Sequence, residues 1–282
     1  MFQVRKMEPE DFPFALSLAN TMNWNMTADD FAFNLQLEPN GCLLLVKDKE
    51  PLGLATCISY GKVGWFGNLI IQETYRKQGA GTQLVNHAVT YLKRKGATSI
   101  GLYGYPHLTN FYAKFGFKSD VDFTVLKAPA VCKTAPISKE DIKPIEKKQL
   151  SDILSFDERY FGSCRQKVLK PILQNPTNLC FAAWKNNQVT GIIAVKVFDE
   201  AAEIGPLVCM PDQNATAAKL LQTALANLDG KEAYLYVRAS EAALLDVANH
   251  AGFTKTFQLV RMFLGAVTPQ DGVYVAESLE RG

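Results

Sequence analysis

Residues 69–84 read LIIQETYRKQGAGTQL. The apolar, β-branched opening (Leu69, Ile70, Ile71) fits the end of a buried strand. A polar turn, Gln72 to Tyr75, leads into Arg76-Lys77-Gln78-Gly79-Ala80-Gly81. Beyond Thr82, the apolar residues Leu84, Val85, Ala88, Val89 and Leu92 recur at helical spacing. The spacing predicts strand, glycine loop, helix. The first amides of a helix have no partner within it and lie at the positive end of its dipole, so this junction suits an anion. Gly79 and Gly81 open the main chain to close approach by a phosphate, and Arg76 and Lys77 add positive charge.

Two phosphate-loop patterns fail here on spacing. A Walker A loop needs a lysine after its second glycine, and none follows Gly81. A dinucleotide fingerprint needs G-x-G-x-x-G, but Gly79-Ala80-Gly81 is followed by Thr82-Gln83-Leu84. The pattern that fits is [Q/R]-x-x-G-x-[G/A], met by Arg76, Gly79 and Gly81. The 282 residues are 48% hydrophobic and 21% charged, enough apolar material for two domains. A net charge of +2 with no long basic run argues against nucleic acid or a membrane surface as partner. The six cysteines form no CxxC pair and several sit in apolar runs, as reduced buried thiols do, so no metal site is expected. The start, MFQVRKMEPED, lacks the apolar core of a signal peptide and no run could span a bilayer. A soluble cytoplasmic protein is expected.

Upstream of the loop, the pattern predicts a strand at Phe2–Arg5 and a helix carrying Phe12, Leu16 and Leu18. The interruption Asn23-Trp24-Asn25 and a helix capped at Thr27 follow, then strands at Gly41–Lys47 and Leu52–Tyr60 and a third ending at Ile71. Downstream come a helix stopped by Gly96, a strand at Ile100–Tyr105, a short helix at Thr109–Phe115 and a strand at Phe117–Lys127. This is an α+β (mixed α/β) fold, a mostly antiparallel sheet with helices packed on it.

After a link at residues 128–130 the pattern begins again. Pro136 to Leu150, with Ser138 capping ahead of Glu140 and Asp141, repeats the opening. A strand pair at Leu179–Trp184 and Gly191–Phe198 follows. Gly205-Pro206-Leu207-Val208-Cys209 then takes the place of Gly67-Asn68-Leu69-Ile70-Ile71. Gly252-Phe253 matches Gly116-Phe117. The offsets, 205 − 67 = 138 and 252 − 116 = 136, stay nearly constant, as in an internal repeat of a whole domain. Domains are expected at residues 1–127 and 131–282. Where the first copy has YRKQGAG the second has QNATA, without glycine or basic residue, so only the first is expected to hold a pyrophosphate.

Phe111-Tyr112-Ala113-Lys114-Phe115-Gly116-Phe117 resembles the YxKxGF signature of the Gcn5-related N-acetyltransferases (GNAT), and LIIQETYRKQGAGTQL resembles that family's acyl-CoA motif. The chain is similar to bacterial and archaeal tandem members whose second copy is degenerate. There the second half carries segments like FDERYFGSCR (156–165) and GPLV (205–208). The resemblance implies acetyl-CoA as co-substrate and an amine, small molecule or peptide, as acceptor. Its pyrophosphate would lie on the amides of Lys77, Gln78, Gly79, Ala80, Gly81 and Thr82, beside Arg76. Its pantetheine would pair with the main chain of Leu69, Ile70 and Ile71, whose side chains meanwhile fill core. Tyr112 would sit near the sulfur and ease departure of the thiolate; a tyrosine there can equally brace the helix. A phenol near pKa 10 is a weaker acid than a thiol near 8.5, so hydrogen bonding to the thiolate is at least as plausible as full protonation.

Several family members carry a carboxylate base on the strand before the loop. Trp65 to Ile71 contains none; Glu73 and His107 lie nearby but read as surface residues, and a water chain to solvent is the conservative alternative. Acceptor contacts fall by position on Trp24 and Asn25, which overhang the cleft in the family, although a core tryptophan reads equally well. Asp157 and Arg165 either face the cleft from the second half or pair with each other. Direct transfer in a ternary complex is expected. A non-catalytic acyl-CoA sensor and a transferase of longer acyl groups are the alternatives.

Overall fold

The computed structural model describes residues 1–24, 26–132, 142–266 and 270–282. The Ser138, Glu140 and Asp141 cap lies outside them. In the first half the order is β1 (Gln3–Lys6), α1 (Phe12–Asn20), α2 (Ala28–Leu37), β2 (Cys42–Lys47), β3 (Glu50–Ser59) and β4 (Val63–Ile71). It continues with α3 (Ala80–Arg94), β5 (Ser99–Gly104), α4 (Thr109–Ala113) and β6 (Lys118–Ala128). The second half contains β7 (Ile142–Pro144), α5 (Leu150–Phe161), α6 (Gln166–Gln174), β8 (Leu179–Lys185), β9 (Gln188–Val197) and β10 (Ala201–Cys209). After these come α7 (Asn214–Leu225), β11 (Glu232–Arg238), α8 (Ala242–His250), β12 (Thr254–Gly265) and β13 (Val273–Val275).

Local chemistry accounts for the helices that frame the site. Thr27 caps α2 by accepting from the Asp30 amide, while the Asp30 carboxylate accepts from the Thr27 amide at 2.8 Å. In α3, Ala80, Leu84, Val85, Ala88 and Leu92 form one buried face, and Lys93 and Arg94 sit at the negative end of the dipole.

All strands of the two halves belong to one sheet, in the order β1-β2-β3-β4-β5-β12-β6-β11-β13-β10-β9-β8-β7. The pairs are antiparallel except β4–β5 and β10–β11. The halves are joined by an exchange of β6 and β12. β5 pairs with β12, placing Leu102 opposite Met262 and Gly101 opposite Phe263, whereas β6 pairs with β11, placing Leu126 opposite Leu235. β6 and β12 then pair with each other at the centre, Phe123 opposite Leu259. Met262 thereby enters the core made by Phe66, Leu84, Leu92 and Leu102 of the first half. Leu126 and Ala128 enter the core made by Leu220, Leu235 and Val247 of the second. Neither core is complete without the other copy.

Two parallel pairs diverge. β4 and β5 pair only through Val63–Ser99, Gly64–Ile100 and Trp65–Gly101. Beyond them, β4 bulges against β3 where Asn68 adopts a positive φ of 51°. β10 and β11 pair from Ala201–Glu232 to Ile204–Leu235 and likewise separate, but β13 enters that gap, with Leu207 and Val237 both opposite Val275.

Because Met262 is 1% exposed, Met262→Ala should cost about 2–5 kcal/mol of stability. Hydrogen exchange should show the loss in α3 and β5 of the first half at least as strongly as in α7. Protection lost only in the second half would contradict the exchange.

Candidate active site

The loop between β4 and α3 is shaped by its backbone. Lys77 and Gly79 have φ of 60° and 86°. A Cβ on Gly79 would touch nothing within 4 Å, so the glycine is required there for its left-handed conformation and not for space. Gln83 is the first amide to bond back, donating to the Gly79 carbonyl at 3.0 Å. The amides ahead of it, 77 to 82, precede the helical ladder and gather at the dipole's positive end. Gln78 donates to the Thr74 carbonyl at 2.7 Å and fixes the turn. Arg76, exposed, folds back so that Nε donates to the Ile71 carbonyl at 3.0 Å, which braces the end of β4 and keeps its charge beside the loop.

From this loop the unpaired half of β4 runs back to the divergence from β5. The side chains of Leu69 and Ile71 pack toward α3, while Ile70 joins the opposite core with Leu44 and Leu54. Their main chain, on the side away from β3, faces no strand among the described residues. The Tyr112 ring lies against the end of β5, within 3.0 Å of where a Cβ on Gly104 would stand, and packs edge-on to Phe111 and Phe117. Burial pushes its phenol above the ordinary value. It is thus a poorer proton source than a free phenol, and still a hydrogen-bond donor.

On the other face of the sheet, Trp24 donates to the Tyr105 hydroxyl at 3.1 Å. Tyr105 stacks on exposed His107, centroids 5.6 Å apart, and packs on Phe257 of β12 at 5.5 Å. Trp24 and His107 therefore meet through one residue, and a strand of the second copy completes their aromatic wall. Asn25 lies outside the described residues. Glu73 is exposed in the turn after β4.

Asp157 and Arg165 do not face the cleft. Both are buried, and Arg165 Nε and Nη2 donate to the two carboxylate oxygens of Asp157 at 2.9 and 2.8 Å. Desolvated charges that cost several kcal/mol each need such a pairing, so the two are held by each other. The third Arg165 nitrogen donates to the Gly282 carbonyl at 2.5 Å. The pair thereby clamps residues 276–282, which run between the halves. Tyr60 donates to the Arg281 carbonyl at 2.8 Å and Trp65 Nε1 to the Leu279 carbonyl at 3.4 Å.

This segment brings in a buried ionic cluster. Lys196 bonds Glu277 at 2.6 Å and Glu203 at 2.6 Å. Arg281 bonds Glu277 at 2.9 Å and Glu280 at 2.5 Å. The linear sequence gives little sign of it: VYVAESLERG reads as a short charged loop, and burial of Glu277, Glu280 and Arg281 depends on where β12 and β13 deliver the chain. The same holds for Tyr105 and Phe257. Among the described residues, no group of three or more His, Cys, Asp or Glu is placed to hold a metal ion, and no helix is long and apolar enough to cross a membrane.

Residues 3–117 match the sequence model of the acetyltransferase (GNAT) family, and residues 153–274 match that of an acetyltransferase (GNAT) domain. Holothin acyltransferase of Pseudoalteromonas sp. (strain SANK 73390) is 20% identical over 258 residues, covering 91% of this chain and 85% of its own. A solved protein of Pyrococcus horikoshii superposes with a TM-score of 0.80 at 22% identity, over 100% of this chain and 96% of its own. A tandem GNAT protein from the clavulanic acid biosynthesis pathway gives a TM-score of 0.63 at 10% identity, over 95% and 99%. The chain belongs to the GNAT superfamily and contains two tandem copies of its fold. Membership places it among the acyltransferases.

In Glu277, burial opposes ionisation, but Arg281 and Lys196 outweigh it and hold the carboxyl near 2, below its ordinary 4.5. A lowered native pKa adds stability that is present above the unfolded value and is lost as the pH falls from about 4.5 through about 2. Glu277→Gln should lower stability at pH 7 by about 3–5 kcal/mol, leaving two buried cations short of a partner. Its melting temperature should then fall less steeply than wild type between pH 5 and pH 2. Parallel curves would refute the assignment.

Proposed function

We propose that the chain is an acetyl-CoA-dependent N-acetyltransferase that moves an acetyl group onto a primary amine by direct attack in a ternary complex. The observation that carries this reading is the line of main chain, uncovered by any described strand, from the loop amides 77–82 back along β4 to its divergence from β5, with the Ile71 carbonyl on it held by Arg76. A pyrophosphate needs clustered donors and a pantetheine arm needs amide partners; this line offers both. Arg76, Lys77, Gln78, Gly79, Ala80, Gly81 and Thr82 hold the diphosphate end, and the main chain of Leu69, Ile70 and Ile71 holds the arm. The thioester then falls where the strands part, between Tyr112 on one face and the Trp24–Tyr105–His107 wall on the other. The aromatic wall suits an ammonium group by cation–π contact.

Much of the rate comes from holding amine and thioester together. Tyr112, made less acidic by burial, donates a hydrogen bond to the departing thiolate and keeps its proton. Attack is by the amine itself, without a cysteinyl intermediate: Cys57 and Cys209 are buried and their thiols are pushed well above the ordinary value. One cofactor binds per chain. The second copy has only Met210 to Gln213 between β10 and α7, with Asp212 in place of the basic pair, and β13 lies where its arm would go. The Pseudoalteromonas relative is named for acyl transfer, which supports the donor class; the acetyl group is the finer proposal. Domains at 1–127 and 131–282 are proposed as units of sequence, the first lending β6 to the second and the second lending β12 to the first. The proposed setting is the cytoplasm.

Calorimetry with acetyl-CoA and a thiol-release assay with amines test this directly. Arg76→Ala should weaken acetyl-CoA binding roughly tenfold, the size of one charge-assisted hydrogen bond, and Gly79→Pro should abolish it. Unchanged affinity in both would overturn the loop assignment. Tyr112→Phe should keep acetyl-CoA affinity and lose roughly 10²-fold in kcat. Binding of acetyl-CoA without thiol release on any amine would identify a sensor instead.

A further inference from the structure

Gly67 stands where β4 leaves β5, two residues beyond Trp65, the last to pair across. Residues two apart on a strand share a face, so a side chain at 67 would project to the face of Trp65, opposite to Phe66 and α3. That space is filled from the far end of the chain. A Cβ on Gly67 would lie 2.5 Å from Glu280 Cα and 2.7 Å from Glu280 Cβ. The Cα and Cβ of Glu280 thus stand where a side chain on β4 would begin, carried by the segment that Arg165, Tyr60 and Trp65 hold down, and its carboxylate bonds Arg281 at 2.5 Å. Leu279 beside it packs in the aromatic cluster of Tyr105 and Phe257.

We propose that Glu280, delivered by residues 276–282 to the outer side of the β4 divergence, receives the proton of the acceptor's ammonium group. The proposal rests on the N-acetyltransferase reading above. Its electrostatic setting is distinctive. Glu280 faces Arg281 and Glu277 on its own segment, Lys196 on β9, Glu203 on β10, Tyr236 on β11 and Tyr60 just after β3. Three carboxylates meet two cations there, so an ammonium brings the cluster to balance. The three carboxylates are not equivalent. Glu277, bonded to both cations, is held near 2 and is a feeble base. Burial pushes Glu280 the other way, above the ordinary carboxyl value, which makes it the stronger base of the two. In the reaction an N–H proton of the ammonium passes to Glu280. The freed nitrogen pair forms the C–N bond at the thioester carbon, the C–S bond breaks, and its electron pair leaves on sulfur as the thiolate that Tyr112 solvates. The adduct nitrogen sheds its second proton to water, the thiolate takes a proton from solvent, and Glu280 releases its own to solvent, so amide, free thiol and one proton result.

The test is a pH profile of kcat/KM with saturating acetyl-CoA and the best-turned-over amine among spermidine, glucosamine and a lysine-containing peptide. Glu280→Gln should bind acetyl-CoA within twofold of wild type and lose at least roughly 10²-fold in kcat/KM at pH 7. The loss should shrink as the pH rises toward the pKa of the free amine, where no base is needed. Glu280→Asp, which keeps the charge at shorter reach, should recover part of kcat and the wild-type acid limb. A Glu280→Gln profile parallel to wild type at every pH, or an Asp variant no better than Gln, would overturn the proposal and leave Glu280 an element of the ionic cluster alone. Wild-type protein inert on all amines while Arg76→Ala still weakens acetyl-CoA binding would overturn the transferase reading, and this role with it.

Discussion

Met262 of β12 lies opposite Leu102 of β5, and Leu126 of β6 opposite Leu235 of β11; the rest of the molecule depends on this exchange. Each copy finishes its core with a strand of the other, β12 in the first and β6 in the second, so separating them would strip buried apolar surface from both. At roughly 25 cal/mol per Å² of such surface, two exchanged strands outweigh any surface contact between the halves. The exchange also fixes where the chain goes next. Since β12 ends beside β5 of the first copy, β13 and residues 276–282 start at the junction of the halves. Leu279, Glu280 and Gly282 of that segment lie directly against Trp65 and Gly67.

That route explains the unusual charge inside the interface. Asp157, Arg165, Lys196, Glu277 and Arg281 are all buried. Taking so many charges out of water is expensive, and such a network holds only when nearly every donor and acceptor is matched. Here it is: Asp157 accepts both guanidinium bonds, Lys196 bridges two carboxylates, and Arg281 reaches Glu277, Glu280 and the Asn34 carbonyl oxygen of its amide. A hydrophobic seam of equal size would hold the halves together as well. What the ionic seam adds is a segment fixed in register, with its carboxylates at defined places beside the divergence of β4 from β5.

Much of this architecture is legible in the sequence, because strand, glycine loop and helix each have a local signature. LIIQETYRKQGAGTQL announces all three, and the steady offset from Gly67–Gly116 to Gly205–Gly252 announces the repeat. The exchange has no such signature. β6 and β12 follow equivalent glycine–phenylalanine turns and both supply apolar residues to a central strand, so either fits beside either neighbour. Asp157 and Arg165 could be read as a pair or as cleft residues, since spacing along the chain does not reveal burial. Trp24 could be placed near the cleft from its loop, but its hydrogen-bond partner Tyr105 and the neighbouring Phe257 could not, as they come from distant strands. The short charged run after Val275 carries no periodicity at all.

A parallel pair of strands that twists apart leaves a row of main-chain donors and acceptors facing sideways, and the duplication set this problem twice. The second copy solves it with its own chain, by threading β13 between β10 and β11. On the proposed reading its turn before α7 has no anion to hold, and the residues there read QNATA, without glycine or basic residue. The first copy keeps a stretch of β4 that no strand covers, and keeps the demanding loop with it. One half closes its gap with its own strand; on the proposed reading, the other is finished only by a molecule that comes and goes.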